Sequence, residues 1–220
     1  MKRFLLACTV LLASALPSWA SPVVVFGNLI TGPNPSSTNP FTAGQTLDPN
    51  LLLTGSGIGR GAGFTANAGN DRYNVSSLNT NALDPTGYFT FLLATSSGYQ
   101  LGLNSFQYTS SRSNISISGF AFRSSLDSFA NDIGTPIFSG ATIDLTAPSF
   151  QGLTTPTEFR FYAWGAGASG NTFSIDNFSF VGEISPVPEP TSIVFGGILS
   201  GAGWIAFRRR RKTKQSLQRN

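Results

Sequence analysis

The sequence predicts an all-β protein whose central part is an antiparallel β-sandwich. Short β-branched and aromatic segments recur along this part, separated by turns rich in Gly, Ser and Asn. No segment of 21–186 has the sustained 3.6-residue apolar period of a helix. Sixteen of the 19 phenylalanines lie in 21–186, where they would supply an aromatic core between two sheets. We therefore expect one β-sandwich domain over 21–186, called the body below.

The strands of the body are expected in the following order. The first lies at 22–30, where β-branched and apolar residues follow one another. A loop-rich stretch covers 31–69, with Pro, Ser, Thr and Asn in its first half and Gly in its second. Residues 125–130 have the composition of a single helical turn. Six further strands are expected at 88–92, 103–108, 115–123, 142–145, 158–164 and 172–182.

The last of these strands contains a change of phase. Phe173 and Ile175 share one face, whereas Phe178 and Phe180 are out of step with them. Side chains alternate between the two faces of a strand, so one extra residue at Asp176–Asn177 would bring all four apolar side chains to the same side. The sequence therefore predicts a one-residue β-bulge at this point.

Missing residue types exclude several kinds of site. The chain has no His, its single Cys is Cys8, and 21–187 has no Lys. A Ser-His-Asp triad, a Cys-His pair, a His-ligated metal and a disulfide are therefore excluded from the body. Gly57, Gly59 and Ala62 touch the dinucleotide-binding fingerprint, but turn residues follow them in place of a helix. We interpret that segment as part of a loop.

Positive charge is concentrated at the two ends of the chain. The whole chain has a formal net charge of +4, yet 21–187 holds five Arg and nine acidic residues, a net charge of −4. Nucleic-acid-binding domains are usually basic. We therefore expect no nucleic-acid partner for the body.

Residues 1–20 have the pattern of a secretory signal peptide. Lys2 and Arg3 precede an apolar run over 4–16, and small residues at 18 and 20 precede an expected cleavage after Ala20. A run of thirteen residues is short for a helix that spans a bilayer. The body is therefore expected to be exported from the cell.

The other end has the pattern of a membrane segment behind a proline-rich motif. The uncharged segment 191–207 is long enough, at about 25 Å, for a helix across a thin bilayer. A basic cluster over 208–212 would stay cytoplasmic by the positive-inside rule, and 213–220 would form a cytoplasmic tail. The motif comprises Val187, Pro188, Glu189 and Pro190, and the stop-transfer cluster comprises Arg208, Arg209, Arg210, Arg211 and Lys212.

This order of motif, apolar helix and basic cluster over 187–212 resembles the bacterial PEP-CTERM sorting signal. In that family an exosortase, a membrane transpeptidase, cuts near the Pro-Glu-Pro. The family is associated with Gram-negative bacteria, including cyanobacteria, that make exopolysaccharide. The resemblance implies an exosortase-type partner, an inner-membrane intermediate, and a final place at the cell surface or in the extracellular matrix.

Part of the body also resembles a module common in PEP-CTERM proteins. The resemblance covers about 84–184 and rests on AFRSSLDSF (121–129), FQGLT (150–154), TEFRFYAWGAGASG (157–170) and FSIDNFSFVGE (173–183). In the usual pattern a Gly stands where this chain has Ser128. The resemblance implies a jelly-roll-like sandwich similar to carbohydrate-binding modules.

Six residues of the body are candidates for ligand contact. Arg123, Asp127 and Arg160 could bracket a ligand, or Arg123 and Asp127 could form a local ion pair that holds a turn. Tyr162 and Trp164 alternate with inward-facing phenylalanines, so they are expected on the outer face, where aromatic rings stack on sugars or pack against neighbours. The six are Arg123, Asp127, Arg160, Tyr162, Trp164 and Asp176.

We favour a non-enzymatic function: adhesion or contact with extracellular polysaccharide, with no cofactor. One alternative is a glycan hydrolase that uses Glu158 and Asp176, since such chemistry needs two carboxylates at a set separation. Another is a surface protein that keeps its membrane anchor. A structural Ca²⁺ bound by Asp144 and Asp176 is a further alternative, although the body has no dense acidic calcium loop.

Overall fold

The computed structural model describes residues 22–52, 54–168 and 170–188. Predictions for the signal peptide with Ala20, for Glu189 and Pro190, for the helix 191–207 and for the basic tail 208–220 lie outside these residues. Within the described ranges, no helix is long and apolar enough to cross a membrane.

Eleven strands and three single 3₁₀ turns make up the regular structure of the described residues. The turns lie at Pro35–Ser37, Ser125–Asp127 and Pro148–Phe150. The strands are β1 (Val23–Leu29), β2 (Gln45–Leu47), β3 (Ile58–Arg60), β4 (Thr65–Ala66), β5 (Tyr73–Ser76), β6 (Tyr88–Leu93), β7 (Tyr99–Arg112), β8 (Gly119–Ser124), β9 (Gly140–Asp144), β10 (Thr157–Trp164) and β11 (Phe173–Pro186).

The strands form two antiparallel sheets. In the seven-stranded large sheet, β11 pairs along its whole length with β7 on one side, and with β1 and then β5 on the other. β9 flanks β7, β2 flanks β1 and β4 flanks β5. The four-stranded small sheet has the order β3-β6-β10-β8. The prediction of an all-β antiparallel fold is confirmed.

Consecutive strands from β5 to β11 alternate between the two sheets. Every connection in this part therefore passes over an end of the molecule. The pairing is long-range, because strands that are neighbours in a sheet are distant in the sequence.

Phenylalanine rings fill the space between the sheets, as the composition predicts. Phe106 of the large sheet stacks on Phe122 of the small sheet, with ring centroids 4.5 Å apart. Phe91 lies 4.7 Å from Phe178, and Phe159 lies 5.2 Å from Phe180. All six rings are at most 2% exposed. Each such ring buries roughly 150–250 Å², so this aromatic cluster dominates the apolar burial.

The predicted bulge is confirmed. The pairing of β11 with β7 shifts register between Ile175 and Asn177. Phe173, Ile175, Phe178 and Phe180 are all at most 2% exposed. The extra residue therefore keeps four apolar side chains on the core face of one strand.

The strand predictions fail where glycine and serine dominate. Residues 55–69 were expected to be a loop, yet they contain β3 and β4, and β5 follows them unpredicted. The strand expected over 115–123 begins only at Gly119. Ile115 is 81% exposed and lies in a turn in which the Asn114 side chain accepts a hydrogen bond from the Ser116 N–H. These short strands exist through pairing with distant partners rather than through their own composition.

Candidate functional site

The outer face of the small sheet carries four of the six predicted ligand-contact residues. Along β10, Phe159 and Phe161 are fully buried between the sheets. The intervening residues Arg160, Tyr162 and Trp164 therefore point to the opposite, outer face, as the alternation predicts. Arg123 of β8 lies directly opposite Arg160 in the pairing of the two strands.

Arg160 lies between two aromatic rings. Its guanidinium carbon is 4.0 Å from the centroid of Tyr88 and 3.8 Å from that of Phe129, which are cation–π distances. Its Nε donates to Glu158 Oε1 at 2.8 Å. Burial lowers the pKa of Arg160, but hydrogen bonding to Glu158 and Tyr162, together with charge interactions with Glu158 and Tyr88, raises it overall. The Arg160 guanidinium is thus a positive charge that contacts Tyr88, Phe129 and Glu158 on the outer face.

Glu158 forms the other half of this ion pair and borders a shallow groove. Its Oε1 also accepts a hydrogen bond from Thr90 Oγ1 at 2.9 Å. The groove measures about 270 Å³ and is lined by residues of β3, β6 and β10, with Pro40 and Leu92 on its sides. Glycines 55, 57 and 59 leave the backbone bare along it. One side of the groove is therefore apolar, and the Glu158 carboxylate on its border already bonds Arg160 and Thr90.

The prediction of an ion pair between Arg123 and Asp127 is wrong. Arg123 Nε donates to Asp132 at 2.6 Å and its Nη1 donates to the Phe129 carbonyl oxygen at 3.1 Å. Asp127 instead accepts from the backbone and side chain of Asn131 and from the Ala130 N–H. These hydrogen bonds, led by the Asn131 side chain, lower the pKa of Asp127. Asp127 is a turn-capping residue, because its carboxylate lies within reach of the N–H groups that follow it.

The two outward aromatic residues of β10 differ in accessibility. Tyr162 is only 3% exposed and packs edge-on against Tyr88, with centroids 5.7 Å apart. Burial raises the pKa of its phenol. Trp164 is half-buried, and its indole lies across Gly119, where a Cβ would overlap the ring. Part of the Trp164 side chain is therefore open to a ligand, whereas Tyr162 is not.

Asp176 lies apart from this face. It is at the bulge of β11 in the large sheet, where it accepts hydrogen bonds from Ser174 and Ser111. Since Glu158 points outward from the small sheet, the two carboxylates lie on different sheets and form no acid pair. Asp144 ends β9 opposite Ser105 of β7, and Asp176 bonds Ser111 of the same strand. Six residues separate Ser105 from Ser111, so the two aspartates lie about 20 Å apart along β7. The described residues hold no group of three metal-binding side chains.

Sequence reasoning missed Tyr88, Thr90, Phe129 and Asp132, which complete the outer face. Tyr88 and Thr90 alternate with the buried Phe89 and Phe91, so period two could have placed them outward. Phe129 has a positive φ of 60° in a loop, and no local pattern signals its position over Arg160. Contacts between a loop and a sheet face follow from the tertiary fold.

The first half of the predicted sorting motif directly follows the last strand. β11 ends at Pro186, and the Val187 N–H donates to the Gly98 carbonyl oxygen at 2.8 Å. Val187 is 38% exposed. Pro188 is the last described residue of the motif.

Comparisons with known proteins give no match: no protein family, no curated protein and no solved structure is significantly similar to this chain.

Proposed function

We propose that this chain is an exported protein of the cell envelope or exopolysaccharide matrix, sorted and cleaved at Val187–Pro190 by an exosortase-type protease. The order of signal peptide, body, proline-rich motif, apolar segment and basic cluster supports this proposal. The position of the motif adds further support. β11 ends one residue before Val187, so a cut within the motif would leave every described strand intact.

The body, in this proposal, is a jelly-roll-like module that contacts glycans without catalysis. The alternation of β5 to β11 between two sheets supports the jelly-roll assignment. The observation that carries glycan contact is Trp164, a half-buried indole laid across Gly119 on an outer sheet face. Aromatic faces of this kind stack on the apolar faces of sugar rings. The separation of Glu158 from Asp176 favours binding over hydrolysis, which needs two facing carboxylates.

Mass spectrometry of the native C-terminus tests the sorting proposal. Protein from membrane and extracellular fractions is digested, and its C-terminal peptide is identified in each. We expect peptides from the extracellular form to stop within 187–190. Recovery of peptides spanning 191–212 from all of the mature protein would contradict cleavage and would favour a lasting membrane anchor.

Trp164→Ala tests the glycan proposal. We expect retention of this variant on the exopolysaccharide of the producing cell to fall about fivefold or more, because an aromatic contact is worth ~1 kcal/mol or more. Ile115→Ala, which removes an apolar side chain that is 81% exposed, is the control and keeps wild-type retention. Equal retention of both variants would contradict the assignment. Release of reducing sugar that disappears in Glu158→Gln would favour the hydrolase alternative.

A further inference from the structure

A polar groove of about 390 Å³ crosses the outer face of the large sheet, on the side of the molecule opposite Trp164. It lies where the start of β7 pairs with the end of β11. Most of the side chains that line it are polar, and Pro22 adds one apolar ring. The polar ones are neutral amides, a hydroxyl and one carboxylate: Gln100, Asn104, Gln151, Ser185 and Glu183. Among the described residues, no arginine or lysine lines it.

The floor of the groove is fixed by the core beneath it. Leu101 and Leu103 alternate with the groove residues of β7 and are at most 2% exposed. Gly102 pairs with Glu183 in the register of the two strands. A Cβ on Gly102 would lie 2.8 Å from Gln151 Oε1, so the absence of a side chain keeps the floor open. The groove therefore has a fixed shape set by two long paired strands.

The polar groups of the groove fall into two sets. Gln100 donates to Ser185 Oγ at 3.2 Å, and Gln151 donates to the carbonyl oxygens of Leu103 and Leu145 at 2.7 and 3.1 Å. These hydrogen bonds hold the two amides in place. Gln151 bonds through its Nε2, so these bonds do not involve its Oε1.

The second set has no internal partner. The Glu183 carboxylate and the Asn104 carboxamide make no hydrogen bond or ion pair with any residue in the described ranges. They remain available as acceptors, and Asn104 also as a donor. Fixed amides beside free ones give the groove both donors and acceptors at set positions.

The geometry points to this groove as a second glycan site, specific for a neutral, hydroxyl-rich saccharide. A sugar hydroxyl both donates and accepts, which matches the mixture of amide, carboxylate and hydroxyl groups. The Glu183 charge and the lack of any cation along the groove disfavour sulfated or uronic glycans. The assignment of a glycan as ligand rests on the function proposed above. It adds that the protein contacts two glycan segments on opposite outer faces and thereby links them.

Nuclear magnetic resonance of the side-chain amides tests this site directly. The full chain is labelled with ¹⁵N and kept in a polyoxyethylene detergent, since detergents with sugar headgroups would compete. The probes are neutral hexasaccharides of glucose, galactose, mannose and xylose, with a hexamer of galacturonic acid as the charged comparator. We expect saturable shifts of the Gln100, Asn104 and Gln151 amide signals with at least one neutral probe, and none with galacturonate.

Variants distinguish the groove from the face that carries Trp164. Glu183→Gln combined with Asn104→Ala should weaken binding at the groove about tenfold, because it replaces a charged acceptor with a neutral amide and removes the Asn104 carboxamide. Gln107→Ala, an exposed amide on the same strand outside the groove, is the matched control and should leave the shifts unchanged. Trp164→Ala should also leave them unchanged.

Three outcomes would overturn the proposal. One is the absence of any shift of the three amides with all neutral probes. A second is a shift that disappears equally in Trp164→Ala, which would leave one glycan site only. A third is saturation by CaCl₂ alone that Glu183→Gln abolishes, which would make the groove a cation site. Because exopolysaccharide retention that depends on Trp164 is measured separately, either proposal can fail while the other holds.

Discussion

At the scale of single residues, Tyr108 links the large sheet to the loop that precedes β9. Its hydroxyl donates to the Ile137 carbonyl oxygen at 2.7 Å and accepts from the Ile137 N–H at 2.8 Å, and the residue is 3% exposed. Burial raises its pKa to about 12, although the Ile137 backbone bond lowers it in part. One phenol thus satisfies both backbone groups of a loop residue.

Tyr108→Phe should change stability in two ways. At neutral pH it should cost about 1–3 kcal/mol, because both Ile137 groups lose a buried partner. In the wild type the folded state keeps the phenol proton between pH ~10, where an unfolded Tyr titrates, and about 12, so stability falls as pH rises through this window. The variant should show a shallower fall. Urea unfolding at several pH values from 7 to ~12 measures both effects, and a slope equal to that of the wild type would contradict the assignment.

Gly119 is required by the indole that covers it. Gly119→Ala should displace Trp164, because the new Cβ would overlap the ring. We expect a loss of ~1–3 kcal/mol, as in other overpacked positions, and a changed Trp164 environment in near-ultraviolet circular dichroism. Gly170→Ala is the control, since a Cβ there meets nothing within 4 Å. Equal effects of the two substitutions would contradict this account.

At the scale of elements, the bulge sets the register of β11. Deletion of Asn177 should turn Phe178 and Phe180 to the outer face while Phe173 and Ile175 stay inward. Loss of two buried rings costs ~3–5 kcal/mol each, comparable with the whole stability of a domain. We therefore expect no cooperative thermal transition in the deletion variant. Asn177→Ser keeps the residue count and should unfold cooperatively; if the deletion variant does so too, the bulge is dispensable.

The sequence predicted elements whose pattern is local and missed those that depend on partners. In β10, Phe159 and Phe161 alternate with polar residues, and in β11 the change of phase is visible in the sequence. Both strands could therefore be predicted from their local pattern. β7 runs over 14 residues, beyond the predicted 103–108, because polar residues outnumber apolar ones towards its C-terminal end and Ser110 takes an inward position there. β3 and β4 hold glycine and alanine, whose strand form depends on pairing with β6 and β5. For the candidate site, alternation placed Trp164 correctly, while Phe129 and Asp132 reach Arg160 and Arg123 through loop geometry.

At the scale of the whole molecule, the two sheets share one core and should unfold together. Phe106 contacts Phe91 and Phe122 of the small sheet and Phe180 of the large sheet. Phe106→Ala should therefore lower the protection of β10 and β11 against hydrogen exchange by equal amounts, ~3–5 kcal/mol. Phe138→Ala, at a side chain that is 43% exposed, is the control. A loss confined to β11 would show that the sheets open independently.

The position of β11 has a consequence for biogenesis. It is the last of the described strands in the chain, yet it occupies the centre of the large sheet, with β7 on one side and β1 and β5 on the other. Polypeptides are synthesised from the N-terminus, so β1, β5 and β7 are made long before the strand that joins them. Until Pro186 has emerged, the early strands lack their main partner, and the nascent body depends on being kept from aggregation by something other than its own fold.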